Sequence, residues 1–193
     1  MTTMTLPPPR PVAAGPRPVR WTCAEFHRLG DLGVFEGRRA KLIDGAILEE
    51  GPMNPPHALT LGLVEAAARA AFGAGWWLRH QSPLVLSQLI DPVPDLAVVP
   101  GGPRDYTGHP TTAALVVEVS DTSLDFDTDD KRRLYARAGI AEYWVVDVNA
   151  RRLLVYRGPQ GGDYANVQTL GPADAVTPLA APGAAVRVAD LLT

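Results

Sequence analysis

The sequence predicts an α/β fold built on a mixed sheet, and three observations carry that prediction. The segments Leu96–Val99 and Leu115–Ser120 are near-continuous apolar, β-branched runs, the pattern of strands covered on both faces. Between His57 and Phe72 the apolar residues Leu59, Leu63, Ala66, Ala67, Ala70 and Ala71 recur at helical spacing. The elements follow in the order helix, hairpin, helix, strands, helix, strands, which places helices against a sheet. A length of 193 residues suits one domain. With 46% hydrophobic and 20% charged residues, the chain can bury a core of ordinary size. The predicted organisation is a flexible Pro-rich leader over residues 1–20 and a single domain over residues 21–193.

Taken in order, Thr22 followed three residues later by Glu25 is a capping-box pair, so a short helix starts there. Ala40 to Leu48 reads as a hairpin, because two short apolar runs flank Asp44-Gly45. Pro52, Pro55 and Pro56 end it, and the His57–Phe72 helix follows until Gly73 and Gly75 stop it. Trp76–Gln81 is the next strand, with Pro83–Gln88 continuing it or pairing with it. Leu96–Val99 and Leu115–Ser120 come after, separated by a turn-rich loop over Gly101–Pro110. Asp127–Ala138 reads as a helix with Asp127, Asp129 and Asp130 at its N-terminal end, where the helix dipole favours negative charge. Glu142–Asp147 and Arg152–Arg157 form two strands, and the Gly/Pro/Ala-rich remainder carries one last short element at Val186–Leu192.

Composition excludes several classes of function. The formal net charge of -3 gives no global basic signature, so a nucleic-acid partner would be held by a local patch or through metal ions. The single cysteine, Cys23, permits no internal disulfide and no cysteine-rich metal cluster. Without a run of ~18 apolar residues or the apolar core of a signal peptide, the expected location is the cytoplasm.

Two acidic residues stand out by position. Asp95 follows Pro94 at the mouth of an apolar strand, and Glu118 sits inside Leu115-Val116-Val117-Glu118-Val119-Ser120. An ionised carboxylate in such a strand is costly unless it is paired or binds a cation. If the two strands are neighbours, both carboxylates converge at one end of the sheet. Together with a backbone carbonyl they suit a hard cation such as Mg²⁺, which serves phosphodiester cleavage by activating water, orienting phosphate and offsetting charge. Lys131, on the helix after the Glu118 strand, is the candidate cation beside that centre, or a base if its pKa is depressed. A turn-forming Asp95, a structurally bridged Glu118 and a solvated Lys131 are the alternatives that spacing alone leaves open.

Taken together, Leu42-Ile43-Asp44-Gly45, Pro55-Pro56-His57, Pro94-Asp95-Leu96-Ala97-Val98-Val99, Val117-Glu118-Val119-Ser120, Asp127 to Lys131, Tyr135-Ala136-Arg137-Ala138-Gly139-Ile140 and Glu142-Tyr143-Trp144-Val145-Val146-Asp147 resemble the Uma-type restriction endonuclease family of the PD-(D/E)xK nuclease superfamily. The resemblance runs from about Trp21 to Arg157 and weakly beyond. It implies a restriction-endonuclease-like core, a mixed β-sheet flanked by helices with an N-terminal helix and hairpin. It also implies Asp95 and Glu118 as ligands of Mg²⁺ or Mn²⁺, and Lys131 as a catalytic lysine displaced from position 120, where Ser120 stands. The family often has Glu where this chain has Lys41, a reversal that weakens metal binding or supplies a phosphate contact. Accessory candidates are His57, as proton shuttle or phosphate contact, Asp44, and Asp127, placed four residues before Lys131 on one helix face. Arg132, Arg133 and Arg137 form a basic cluster that would touch nucleic-acid phosphates. The resulting expectation is a metal-dependent endonuclease acting on a nucleic acid, DNA first, as a homodimer. The alternative is a catalytically silent module of the same fold that binds nucleic acid or a protein partner, and an exonuclease sharing the site is a third reading.

Overall fold

The computed structural model describes residues 15–193; most of the Pro-rich leader expected over residues 1–20 lies outside them. Thr22 caps α1 (Cys23–Asp31) through the reciprocal bonds of a capping box, with its hydroxyl accepting from the Glu25 N–H and the Glu25 carboxylate accepting from the Thr22 N–H. The hairpin forms as expected from β1 (Arg39–Ile43) and β2 (Ala46–Glu50). Asp44 and Gly45 turn it with φ of 48° and 78°, the conformation that Asp-Gly supplies most cheaply. At Gly45 a Cβ would also stand 2.9 Å from the Cβ of Arg20, so the preceding chain packs on the turn only because glycine is there.

Six strands form the main sheet: β3 (Trp76–His80), β4 (Leu96–Pro100), β5 (Leu115–Ser120), β6 (Glu142–Asp147), β7 (Arg152–Gln160) and β8 (Asp163–Leu170), adjacent in that order. Only β5 and β6 run parallel, so the sheet is mixed. The apolar runs of β5 and β6 are buried along their whole length, as their composition requires. One face carries Val117, Val119, Trp144 and Val146 and is covered by α2 (Pro55–Phe72) and by a C-terminal 3₁₀ turn over Val188–Leu191. The other carries Val116, Tyr143 and Val145 under Leu134, Tyr135 and Ala136 of α4 (Arg132–Arg137). A two-residue ladder of β9 (Ala175–Val176) and β10 (Val186–Arg187) closes the C-terminal part. Among the described residues no helix is long and apolar enough to cross a membrane.

The structure corrects the sequence reading in four places. The helix α2 buries Thr60, Val64, Ala68 and Phe72, while Leu59 is exposed. Its buried stripe opens on a polar residue, and alanines on every side conceal the register. Pro83–Gln88 does not pair with β3; Leu84 and Val85 donate instead to the carbonyls of Pro92 and Pro110. The helix expected over Asp127–Ala138 begins earlier as α3 (Leu124–Phe126), and it passes through a π turn over Asp127–Lys131 before α4. Finally, β8 was hidden. Gly158, Pro159, Gly161 and Gly162 read as a loop, but Gln160 pairs with Asp163 across a Gly-Gly turn. Pro159 is tolerated because it lies near the end of the ladder.

Candidate functional site

The alternation of side chains along the strands sets the site. Leu96 pairs with Val117 in the antiparallel β4–β5 ladder, so one step further Asp95 comes opposite Glu118. Both then project to the α4 side of the sheet. The two are joined directly: the Asp95 N–H donates to Glu118 Oε2 at 3.3 Å, and the Val119 N–H donates to Asp95 Oδ2 at 2.9 Å. The convergence that spacing left conditional is thus present in the geometry.

Lys131 arrives from the π turn. A wider turn re-aims the residues that follow it, and such turns recur at functional sites. Here the Tyr143 hydroxyl donates to the Asp127 carbonyl at 2.9 Å. The Lys131 Nζ lies 2.9 Å from Glu118 Oε2 and 2.9 Å from Asp127 Oδ1. Asp127 is held in turn by the hydroxyls of Ser120 and Ser123 on its Oδ2. Ser120 therefore has a role of its own: it fixes the carboxylate that fixes the lysine.

Burial dominates the electrostatics. Glu118 is 1% exposed, and burial pushes its carboxyl up to about 8, with Lys131 pulling the other way and Asp95 and Asp127 adding to the rise. Burial also pushes Asp95 up, but the His57 hydrogen bond and charge, the Val119 N–H and Lys131 outweigh it and hold the carboxyl below its ordinary value. For Lys131, burial favours the neutral amine, yet Glu118, Asp127 and Asp95 together raise it above its ordinary value. The reading of Lys131 as a base with a depressed pKa is therefore corrected: the surrounding carboxylates keep it a cation. His57 Nε2 is 3.1 Å from Asp95 Oδ2, and that bond raises the imidazole against its partial burial.

Three partners escaped sequence reading. The Tyr135 hydroxyl donates to Glu118 Oε1 at 2.7 Å from a fully buried position. Gln81, at φ 40°, donates its amide to Asp95 Oδ1 at 3.3 Å. Phe126 lies beneath two lysines. No local pattern distinguishes a site tyrosine from a core tyrosine, and only the ladder register brings Gln81 to Asp95. Tyr135→Phe leaves a buried carboxylate oxygen without its donor and is expected to lower unfolding stability by about 1–3 kcal/mol in a urea titration. A midpoint equal to wild type would show that the hydroxyl is not engaged.

Asp95, Glu118, Lys131 and His57 line one cavity of about 420 Å³, together with Arg39, Lys41, Glu50, Asp121 and Phe126. The other predicted residues are elsewhere. Asp44 bonds Arg137 at 2.9 Å, and these two with Arg133 line a neighbouring pocket that shares Leu48 and Phe126 with the cavity. Arg132 pairs with Asp163 and Arg133 with Asp129. The structure does not bring Asp44, Arg132, Arg133 or Arg137 to the cavity.

Among the described residues no three His, Cys, Asp or Glu side chains converge closely enough to hold an ion by themselves. The donor set fits a different kind of site. Asp95, Glu118 and Asp127 surround the single ammonium group of Lys131, so acidic groups outnumber it at the cavity floor. Two carboxylates at the base of an open cavity suit a hard cation that keeps most of its waters, as Mg²⁺ does.

Comparison with known proteins follows the same line. A family model described as "Uma2: Putative restriction endonuclease" matches residues 23–189. Among solved structures, the chain resembles one described as a "putative nuclease belonging to DUF820 from Anabaena variabilis ATCC 29413", with a TM-score of 0.71 and 18% identity over 88% of this chain and 96% of that one. At that identity the likeness shows the fold. No curated protein matches the sequence significantly.

Proposed function

The chain belongs to the Uma2 family, described as "Putative restriction endonuclease", and from that premise we propose that it is a nuclease that hydrolyses phosphodiester bonds, with DNA as its first substrate, and depends on a divalent cation. One observation carries the reading: Asp95 and Glu118, from neighbouring strands, are hydrogen-bonded to each other's segments beside a buried, protonated lysine at the floor of an open cavity. Asp95 and Glu118 are the residues that would hold Mg²⁺ or Mn²⁺. When bound, the cation would lower the pKa of water, orient the phosphate and offset developing negative charge.

The chain's own residues supply the rest. Water attacks phosphorus and gives up a proton to solvent as the new P–O bond forms, one P–O ester bond breaks, and the leaving oxygen takes up a proton. Lys131, kept protonated by its carboxylates, places positive charge where the phosphoryl oxygens gain negative charge. His57 is fixed through Nε2 by Asp95, whereas its buried Nδ1 has no partner among the described residues. The His57 side chain lines the cavity and is the group that would bring a proton toward the leaving oxygen. Asp127 and Tyr135 position Lys131 and Glu118.

A second reading, a silent module that binds nucleic acid or a protein partner, is favoured by a specific feature: both Glu118 oxygens are already satisfied, by Tyr135 and by Lys131 with the Asp95 N–H. Incubation of supercoiled plasmid and a structured RNA with wild type and Asp95→Asn, in Mg²⁺ or Mn²⁺, separates the two. Wild type is expected to nick or linearise the plasmid and the variant to leave it intact. Equal cleavage by both would overturn the assignment of Asp95, and no cleavage by wild type would favour the silent module.

A further inference from the structure

The cavity has two electrical halves, and the half that does not face Asp95 and Glu118 carries Lys41, for which the sequence left a phosphate contact as one of two readings. On β1, Arg39 and Lys41 both turn to one carboxylate: Arg39 Nη2 lies 3.2 Å from Glu50 Oε2, and Lys41 Nζ pairs with Glu50 Oε1. Arg38 takes the neighbouring Glu49 of the same wall at 2.6 Å, so Arg39 and Lys41 are left sharing one anion and this wall keeps a surplus positive charge, whereas acidic groups outnumber the lysine on the floor. Lys41 is 5% exposed, an expensive place for an ammonium group unless it is compensated. A cross-strand pair that merely held the hairpin would need only Arg39, which stands directly opposite Glu50 in the ladder. Instead, Lys41 Nζ reaches into the cavity and lies 5.0 Å from the centre of the Phe126 ring, while Lys131 Nζ lies 5.6 Å from the same centre. The floor cation and the wall cation thus lie against one aromatic ring.

We propose that Lys41, assisted by Arg39, binds the phosphate adjacent to the scissile one, so that the site takes a polynucleotide strand in preference to an isolated phosphate ester. This rests on the nuclease reading above. With both ammonium groups against the same ring, 5.0 and 5.6 Å from its centre, successive phosphates of one strand would meet both, and an acidic floor needs a basic wall if a polyanion is to enter against it. Glu50 holds Lys41 in the free protein and gives it up to the incoming phosphate. Lys41 is a positioning residue: it acts on where the strand lies, and bond cleavage remains with the groups on the floor.

The test is binding of a short fluorescein-labelled DNA duplex by anisotropy across a salt series. Ca²⁺ is present, because it fills oxygen-ligand sites with looser geometry than Mg²⁺. Lys41→Met is expected to weaken binding about tenfold and to lower the salt slope by about one. Lys41→Arg should restore both, and Glu50→Gln, which releases the lysine, should tighten binding. Thermal melts of each variant separate loss of contact from loss of fold. Wild-type affinity and slope in Lys41→Met would overturn the inference and leave the nuclease reading standing, as would weaker binding in Glu50→Gln. Failure of wild-type protein to bind or cut the duplex would overturn both.

Discussion

Replacing Lys131 by methionine is expected to abolish cleavage while tightening the hold on a divalent cation. In the cation-free protein the ammonium group lies 2.9 Å from Glu118 and 2.9 Å from Asp127, and it opposes any second cation that approaches the same carboxylates. Its removal takes away that repulsion and frees an oxygen of Glu118. The same removal takes away the positive charge that meets the phosphoryl group, a loss of about 10²–10³ in rate where such preorganised groups have been deleted. It also strands the buried Asp127 carboxylate, at a cost to folding of about 3–5 kcal/mol. The variant should therefore melt well below wild type in EDTA and recover much of the difference in Mn²⁺, while calorimetry shows tighter Mn²⁺ binding. Retained cleavage would remove Lys131 from the chemistry. Weakened Mn²⁺ binding would show that the lysine organises the carboxylates for the cation instead of competing with it.

The same residues show what the sequence discloses and what it conceals. Asp95 and Glu118 were legible because a charge in an apolar strand is a local anomaly, visible without knowing which strands pair. The hairpin and the first helix were legible because Asp44-Gly45 and the Thr22–Glu25 capping pair act within four residues. Tyr135, Gln81 and Phe126 were not, because their roles depend on where the chain returns. A tyrosine packed under a sheet and a tyrosine bonded to a buried glutamate occupy the same pattern of apolar positions. The basic cluster shows the complementary case. Arg132, Arg133 and Arg137 are close in sequence, but Arg133 pairs with Asp129 one turn back on the same helical run, Asp163 and Asp44 from other elements take Arg132 and Arg137, and none of the three lines the cavity. The one departure at position 120 was legible as a change and not as a function, since only the fold shows the Ser120 hydroxyl on Asp127.

Stability of the cation-free protein is expected to fall as pH rises from about 4.5 to about 8, and a divalent cation is expected to cancel that fall. The sign follows from Glu118. Its carboxyl titrates at 4.5 in the ordinary case and is raised to about 8 in the folded protein, so between those values the folded state holds a proton that the unfolded chain has released. Folding then takes up protons, and stability drops as they become scarcer. His57, raised above 6.5, acts in the same direction from its unfolded value upward. Asp95 is lowered from 3.8 and Lys131 raised from 10.5, so their windows lie outside this range. Summed over the window the effect is on the order of a few kcal/mol, enough to move a melting temperature by many degrees. Mg²⁺ requires Glu118 ionised, so its binding releases the proton, and its affinity should climb with pH until about 8. Melts in EDTA and in saturating Mg²⁺, across pH 4.5 to 8, test both halves. In Glu118→Gln the fall in EDTA should shrink to the part due to His57, and the protection by Mg²⁺ should disappear. A wild-type curve in EDTA that rises with pH would mean that Glu118 is ionised throughout, with Lys131 outweighing its burial. The cation would then displace the lysine alone, without releasing a proton.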